Sequence, residues 1–313
     1  MRLGISLASF HAVDDPREGV RRMIDRACAA RDAGLDSLFV GDHHATPRPY
    51  YQNVAILGRL LAEWDERPCG ALFLLPLWHP VLLAEQVGTL AAISRGRFVL
   101  QCALGDADRQ FEAMGVDPRH RPSRFEECLD ACRRLWKGEQ VTSLGRVPFA
   151  QARVSPVPPE PIEVWIGATA ERAILRAARI GDGWIASPHH TPAQAERQLE
   201  IYREACSRLG RPPGTAVIRR DVHVGAGDDE ARATARPVVE TGYRGFPPDA
   251  TIVGGAETVA ERLADLGAMG YDEVLVRNLM PDARAALAST ERLGRVRELL
   301  LANAGMTGGR NSS

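Results

Sequence analysis

Ser37-Leu38-Phe39-Val40-Gly41-Asp42-His43-His44 decides how the rest of the chain is read. Leu38, Phe39 and Val40 form a short apolar run after the polar turn Ala33-Gly34-Leu35-Asp36, the pattern of a buried strand. The run ends on three groups that can move protons or hold a metal. In parallel α/β proteins, polar residues just past the C-terminal end of a strand mark a site more often than packing. Side chains alternate along extended chain, so at most two of the three face the same way. The bland alternative makes Asp42 a loop cap and both histidines surface residues.

Outward from this stretch the same unit recurs. Strands are expected at 3–8, 37–40, 70–75, 97–103, 162–167, 182–186, 217–224 and 273–277, each followed by a helical stretch. The first helix, 16–33, carries Val20, Ile24, Ala27 and Ala30 at helical spacing, with Pro16 in its first turn and Gly34 as its stop. Eight alternations in 313 residues fit a closed (β/α)8 TIM barrel better than an open sheet. The expectation is one barrel domain over 1–305, with insertions after strands four and seven and a disordered tail at 306–313. The first insertion, 141–161, is rich in Pro and Gly and reads as an excursion with a short hairpin. The second, 225–255, reads as irregular chain with one short helix, a lid over the barrel mouth.

Composition narrows the function. An apolar content of 45% supplies a core, and a net charge of −1 gives no reason to expect a nucleic-acid partner. No run of 18 apolar residues suggests a membrane span, and the N-terminal run to Ala8 reads as strand one rather than a secretory signal. Six cysteines without a Cys-x-x-Cys are expected as free thiols in a reducing cytoplasm. Lys137 is the sole lysine and sits at a helix end, which leaves no Schiff-base chemistry.

In a barrel, the loops after the strands share one face. That face gathers His11, Asp42, His43, His44, His79, Gly105, Asp106, Asp108, Thr169, His189, His190 and Asn278, six of the eight histidines. Strand five ends in Gly167-Ala168-Thr169, small residues and a hydroxyl at an expected helix N-terminus, where free N–H groups can cradle a phosphate. Arg124 can add a charge-assisted contact. Taken alone, each motif is weak, and an ordinary N-cap and a surface arginine are the slightly favoured reading. A metal-dependent barrel hydrolase is the rival, but its His-x-His position on strand one reads Ser6-Leu7-Ala8-Ser9, and no metal ligands are assigned.

Further segments occur together and in order: Leu74-Leu75-Pro76-Leu77-Trp78-His79-Pro80, Ser94-Arg95-Gly96-Arg97-Phe98, Phe111-Glu112-Ala113-Met114-Gly115-Val116 and Ile180-Gly181-Asp182-Gly183-Trp184. With residues 33–44 they make the chain resemble the bacterial luciferase-like flavin oxidoreductases over roughly residues 1–200. The resemblance implies a flavin ring at the C-terminal mouth of the barrel, with His43 beside its reactive edge as the proton-handling group. Asp42 is expected behind His43, fixing its tautomer or orientation as carboxylates do for catalytic histidines, with His44 pointing the other way. The resemblance implies that Ala71 and Leu72 form a bulged pair, often cis, against the ring. Gly105 matches the loop after strand four, Asp106 the position of a catalytic carboxylate in some deazaflavin enzymes, and Arg124, Gly167, Ala168 and Thr169 the phosphate site. Ala103-Leu104 replace the reactive cysteine and the arginine of luciferase proper, so light emission is not implied. The implied activity is a monooxygenase using reduced FMN and dioxygen on a small organic substrate. The alternative is hydride transfer with coenzyme F420, and a non-catalytic flavin-binding protein is more remote. A separate flavin reductase and a homodimer are the implied partners, and Tyr50, Tyr243 and Phe246 are candidate substrate walls.

Overall fold

Residues 1–106 and 108–308 are described by a computed structural model of the chain. In order they form β1 (Arg2–Leu7), α1 (Pro16–Asp32), β2 (Leu38–Val40), α2 (Asn53–Leu60), β3 (Cys69–Leu74), α3 (Pro80–Ile93) and β4 (Phe98–Ala103). Then come α4 (Asp108–Ala113), α5 (Arg121–Trp136), the hairpin β5 (Val141–Ser143) and β6 (Phe149–Ala152), β7 (Glu163–Gly167) and α6 (Glu171–Ile180). The remainder is β8 (Gly183–Ala186), α7 (Pro192–Arg208), β9 (Thr215–Val224), α8 (Asp228–Glu240), β10 (Thr251–Gly254), α9 (Ala256–Met269), β11 (Glu273–Asn278) and α10 (Ala283–Gly308). Eight parallel strands alternating with helices, β1 to β4, β7 to β9 and β11, make the (β/α)8 barrel, with insertions after its fourth and seventh strands.

Local chemistry accounts for the ends of these elements. Gly34, at φ 74°, stops α1, with Leu35 N–H returning to the Ala30 carbonyl in a left-handed cap. Thr191 and Gln194 form a capping box before α7, with Pro192 in its first turn.

The chain divides into two compact units. In the unit formed by 1–8, 21–38 and 168–313, β9 is the central strand. It pairs with β11 (Arg219 beside Leu275, Arg277 beside Asp221), and β11 pairs with β1. Along its other edge, β8 takes the first half of β9 and β10 the second. Trp184 stacks on Tyr202 and Tyr271 in this core. In the unit formed by 9–20 and 39–167, β3 and β4 run in continuous register from Cys69 beside Phe98 to Leu74 beside Ala103, and β7 follows on β4. Gly70 permits the β3–β4 approach, because a Cβ there would lie 1.9 Å from the Val99 carbonyl oxygen. Phe39 packs against Trp165 with ring centroids 5.4 Å apart.

Three expectations change. The pair Ala71-Leu72 is neither bulged nor cis: β3 keeps register through it, and the cis peptide among the described residues is Ser155-Pro156. The stretch 225–255 is largely regular, a 13-residue helix α8 and a strand β10 that extends the sheet on β9. Of the tail expected at 306–313, residues 306–308 continue α10 and 309–313 lie outside the described residues.

Candidate active site

β2 is only three residues long, and the chain leaves it as Gly41-Asp42-His43-His44. Asp42 is buried and acts as a hub. Its Oδ2 accepts from the Leu74 N–H at 2.8 Å and from the Trp78 indole N–H at 2.9 Å, tying the end of β2 to the end of β3. Its Oδ1 lies 3.1 Å from His44 Nε2. The carboxylate is thus paired with His44 rather than standing behind His43, which corrects the expected arrangement. Alternation explains the result: Asp42 and His44, two apart, project to one side, and His43 projects to the other.

His44 is held twice more, by a 2.8 Å bond from its backbone N–H to Gln110 Oε1 and by an edge contact with Trp78 at 5.7 Å. Gln110 is buried and belongs to α4, a short helix that sequence periodicity does not reveal. His43 is half-buried. Its ring lies 5.5 Å from Tyr50, and its carbonyl accepts from Gln52 Nε2 at 3.1 Å. Burial, then the neighbouring His44, pull its pKa below the ordinary histidine value, while Asp42 and Asp106 pull the other way. His43 is therefore neutral at pH 7, with one nitrogen to donate and one to accept.

Around this centre, the Leu72 carbonyl in β3 accepts from the buried Asn53 Nδ2 at 2.7 Å, which fixes the backbone at Ala71-Leu72. Gly105 takes φ 77°, and its carbonyl accepts from Arg121 Nη1 at 3.3 Å. Arg121 also pairs with Asp108 and lies over Phe111, so it anchors the loop that carries Asp106. Asp106 itself is exposed. Arg124 donates to two neutral groups, the carbonyls of Pro76 (2.8 Å) and Arg146 (3.3 Å), and burial lowers its pKa. Gly167 leaves room for a Cβ, 3.6 Å from Ala103 Cβ, so no steric demand fixes glycine there. His79 packs near Phe149, at 5.7 Å.

In the other unit, α6 begins at Glu171 rather than Thr169. The Ala168 N–H already donates to the Ile185 carbonyl at 3.2 Å, so it is not one of the free donors expected of a phosphate cradle. Thr169 is exposed, and its carbonyl accepts from Gln198 Nε2. His189 and His190 lie edge to face at 4.5 Å, while Asn278 Nδ2 donates to Thr290 Oγ1. His223, left out of the strand-end set, is buried next to the last residue of β9, and neither ring nitrogen has a hydrogen-bond partner.

A buried carboxylate 3.1 Å from one histidine at a barrel strand end, with a second histidine beside it, is a set of groups able to hold or move protons. The luciferase-like monooxygenase family profile matches residues 1–251, and the chain belongs to that family. An F420-dependent glucose-6-phosphate dehydrogenase of Nakamurella multipartita is 28% identical over 209 residues, covering 62% of this chain and 60% of that protein. The chain thus spans only about three-fifths of the length of the first such relatives it matches. The oxygenase component of a flavin-dependent trigonelline monooxygenase of Acinetobacter baylyi is 25% identical over 297 residues, 80% of this chain and 81% of that one. In fold, the monooxygenase RslO1 of Streptomyces bottropensis superposes with a TM-score of 0.81 at 20% identity, over 97% of this chain and all of that one.

Among the described residues no helix is long and apolar enough to cross a membrane, and no disulfide joins the six cysteines.

Proposed function

We propose that the chain is the oxygenase of a flavin-dependent monooxygenase pair, taking reduced FMN from a separate reductase and acting with dioxygen on a small organic substrate. The redox core of this reading rests on His43, half-buried beside Asp42 and His44 at the strand end, a group that would serve FMN and F420 chemistry alike. The relative matched over most of both chains is itself named a flavin-dependent oxygenase component, which supports the same choice.

The residues present fit a phosphorylated flavin on one observation of their own: Arg124 is a cation hydrogen-bonded to two uncharged carbonyls, with the Glu127 carboxylate acting on it only electrostatically, so its guanidinium can still take a charge-assisted bond from an anion. Ala168 and Thr169 stay assigned to the phosphate by resemblance, with Thr169 offering its hydroxyl, since the Ala168 N–H is engaged. Gly105 keeps the loop after β4 low, and Ala71-Leu72 supply the backbone wall for the ring. When bound, reduced FMN supplies the two electrons that activate dioxygen. His43 takes or gives a proton at an imidazole nitrogen, and Asp42 holds the strand end rigid so that this nitrogen stays in place.

Hydride exchange with F420 is the second reading, favoured by the F420-dependent relatives and by Asp106 lying within electrostatic reach of His43. Replacing His43 with Ala tests the shared core of both. Turnover should fall roughly a hundredfold or more, with cofactor affinity nearly unchanged. Full turnover on the true substrate would remove His43 from the chemistry.

A further inference from the structure

Strand β9 reads Thr215-Ala216-Val217-Ile218-Arg219-Arg220-Asp221-Val222-His223-Val224, with three charges in succession inside a buried strand. Alternation sends Arg220 to the helix side, where it lines a cleft of about 380 Å³ with residues of α7 and α9. Arg219 and Asp221 take the opposite face. The register sets Arg277 of β11 beside Asp221, and Arg277 reaches β1, donating to the Ser6 carbonyl at 3.2 Å and the Ser6 hydroxyl at 2.7 Å. Two more groups arrive from the turn after α8. The Tyr243 hydroxyl donates to Asp221 Oδ2 at 2.7 Å, and Arg244 Nη1 stands 3.6 Å from the same oxygen. Arg219 Nε donates to Asp221 Oδ1 at 2.9 Å.

The Arg219 and Arg244 guanidinium groups thus stand at one carboxylate while Arg277, on the neighbouring strand, acts electrostatically on Arg219, leaving the cluster two positive charges in excess. Charge removed from water is costly unless it is paired, and here the pairing is incomplete. Arg219 Nη2 is buried with no hydrogen-bond partner. Burial, then Arg277, bring the Arg219 pKa down to about 9, so the group is still charged at pH 7. Arg244, a non-glycine residue at φ 50°, is set in a left-handed conformation that points a third cation at the same place. Phe246 lies perpendicular to Tyr243 at 5.6 Å and beneath the Arg244 guanidinium at 5.3 Å, giving the cluster an aromatic wall.

We propose that this cluster, toward the C-terminal ends of β1, β9 and β11, binds an oxyanion carried by the organic substrate, a carboxylate, sulfonate or phosphate, with Tyr243 and Phe246 against its apolar part. The assignment to substrate rests on the reading of the chain as an oxidoreductase of small organic molecules. The charge excess is what selects an anion. A neutral substrate would leave two guanidinium charges uncompensated, whereas an oxyanion can accept from the unpaired Arg219 nitrogen and offset the Arg244 charge.

The test uses the whole protein and inorganic phosphate or sulfate, titrated calorimetrically against chloride at constant ionic strength. Saturable phosphate or sulfate binding is expected, weakened about tenfold or more in Arg244→Ala and largely restored in Arg244→Lys. Asp221→Asn, which removes the single negative charge, should tighten phosphate binding rather than abolish it. Arg244 is half-exposed, so its variants test the idea without emptying a core position. Absence of saturable binding, or binding indifferent to Arg244, overturns the proposal. The ratio of reduced FMN to reduced riboflavin affinity should be the same in wild type and Arg244→Ala, and collapse of that ratio would assign the cluster to the cofactor phosphate and overturn the substrate assignment. Should neither FMN nor F420 bind while Arg244-dependent phosphate binding persists, the anion site stands and the redox reading fails.

Discussion

At the scale of single residues, Asp42 and His43 are expected to separate cleanly in experiment. Asp42 accepts from two buried donors, the Leu74 N–H and the Trp78 indole N–H, so Asp42→Ala strands both. The loss should be about 2–5 kcal/mol of folding free energy, measurable by denaturant unfolding, whereas His43→Ala should leave stability within about 1 kcal/mol of wild type. Equal stability of the two variants would show that Asp42 is not the hub. His190 gives a pH signature. It is buried beside His189 and Arg220, and burial first, then His189, bring its pKa from 6.5 to about 4. The unfolded chain therefore binds the proton more readily, so stability is intact above pH 6.5 and declines as pH falls toward 4, by at most about 3 kcal/mol. His190→Gln should flatten that slope between pH 6.5 and 4; an unchanged slope would place its origin elsewhere. Asp42 and His43 could be found from sequence because a proton-moving triplet directly follows a three-residue apolar run. The partners of Asp42 could not, because alternation along one strand says which side a group takes and nothing of an indole 36 residues away. Arg219 and Asp221 did carry a signal, charges inside an apolar strand, and its meaning depended on the register that sets Arg277 beside them.

At the scale of elements, the stretch after β9 departs most from expectation. Gly, Pro and charge dominate 225–255, and periodicity over so short a span gives no strand signal for Thr251–Gly254. That strand exists because β9 is ten residues long while β8 covers only its first half, leaving the upper edge of β9 open for β10. The irregular chain is therefore confined to the turns between α8 and β10. Hydrogen exchange should find the β10 amides protected like those of β9, with 241–249 exchanging faster and slowed by bound substrate or phosphate. Uniformly fast exchange across 225–255 would restore the picture of an irregular lid. The short helix α4 was missed for a related reason: six residues hold less than two turns, too few for a 3.6-residue period to show, yet they position Gln110 against His44.

At the scale of the molecule, the barrel was legible because eight strand–helix alternations tolerate errors of a few residues at every boundary. The chemistry was legible only as far as the family, since the resemblance assigns His43 a role compatible with FMN and with F420 alike. A cofactor that comes and goes as a substrate should leave the purified protein largely without yellow colour. The most direct measurement is a titration of the colourless protein with reduced FMN, oxidised FMN and F420 under anaerobic conditions. Reduced FMN should bind at least tenfold more tightly than oxidised FMN or F420, and admitting dioxygen with substrate should give product. F420 binding more tightly than reduced FMN, with product formed without dioxygen, would contradict the monooxygenase assignment.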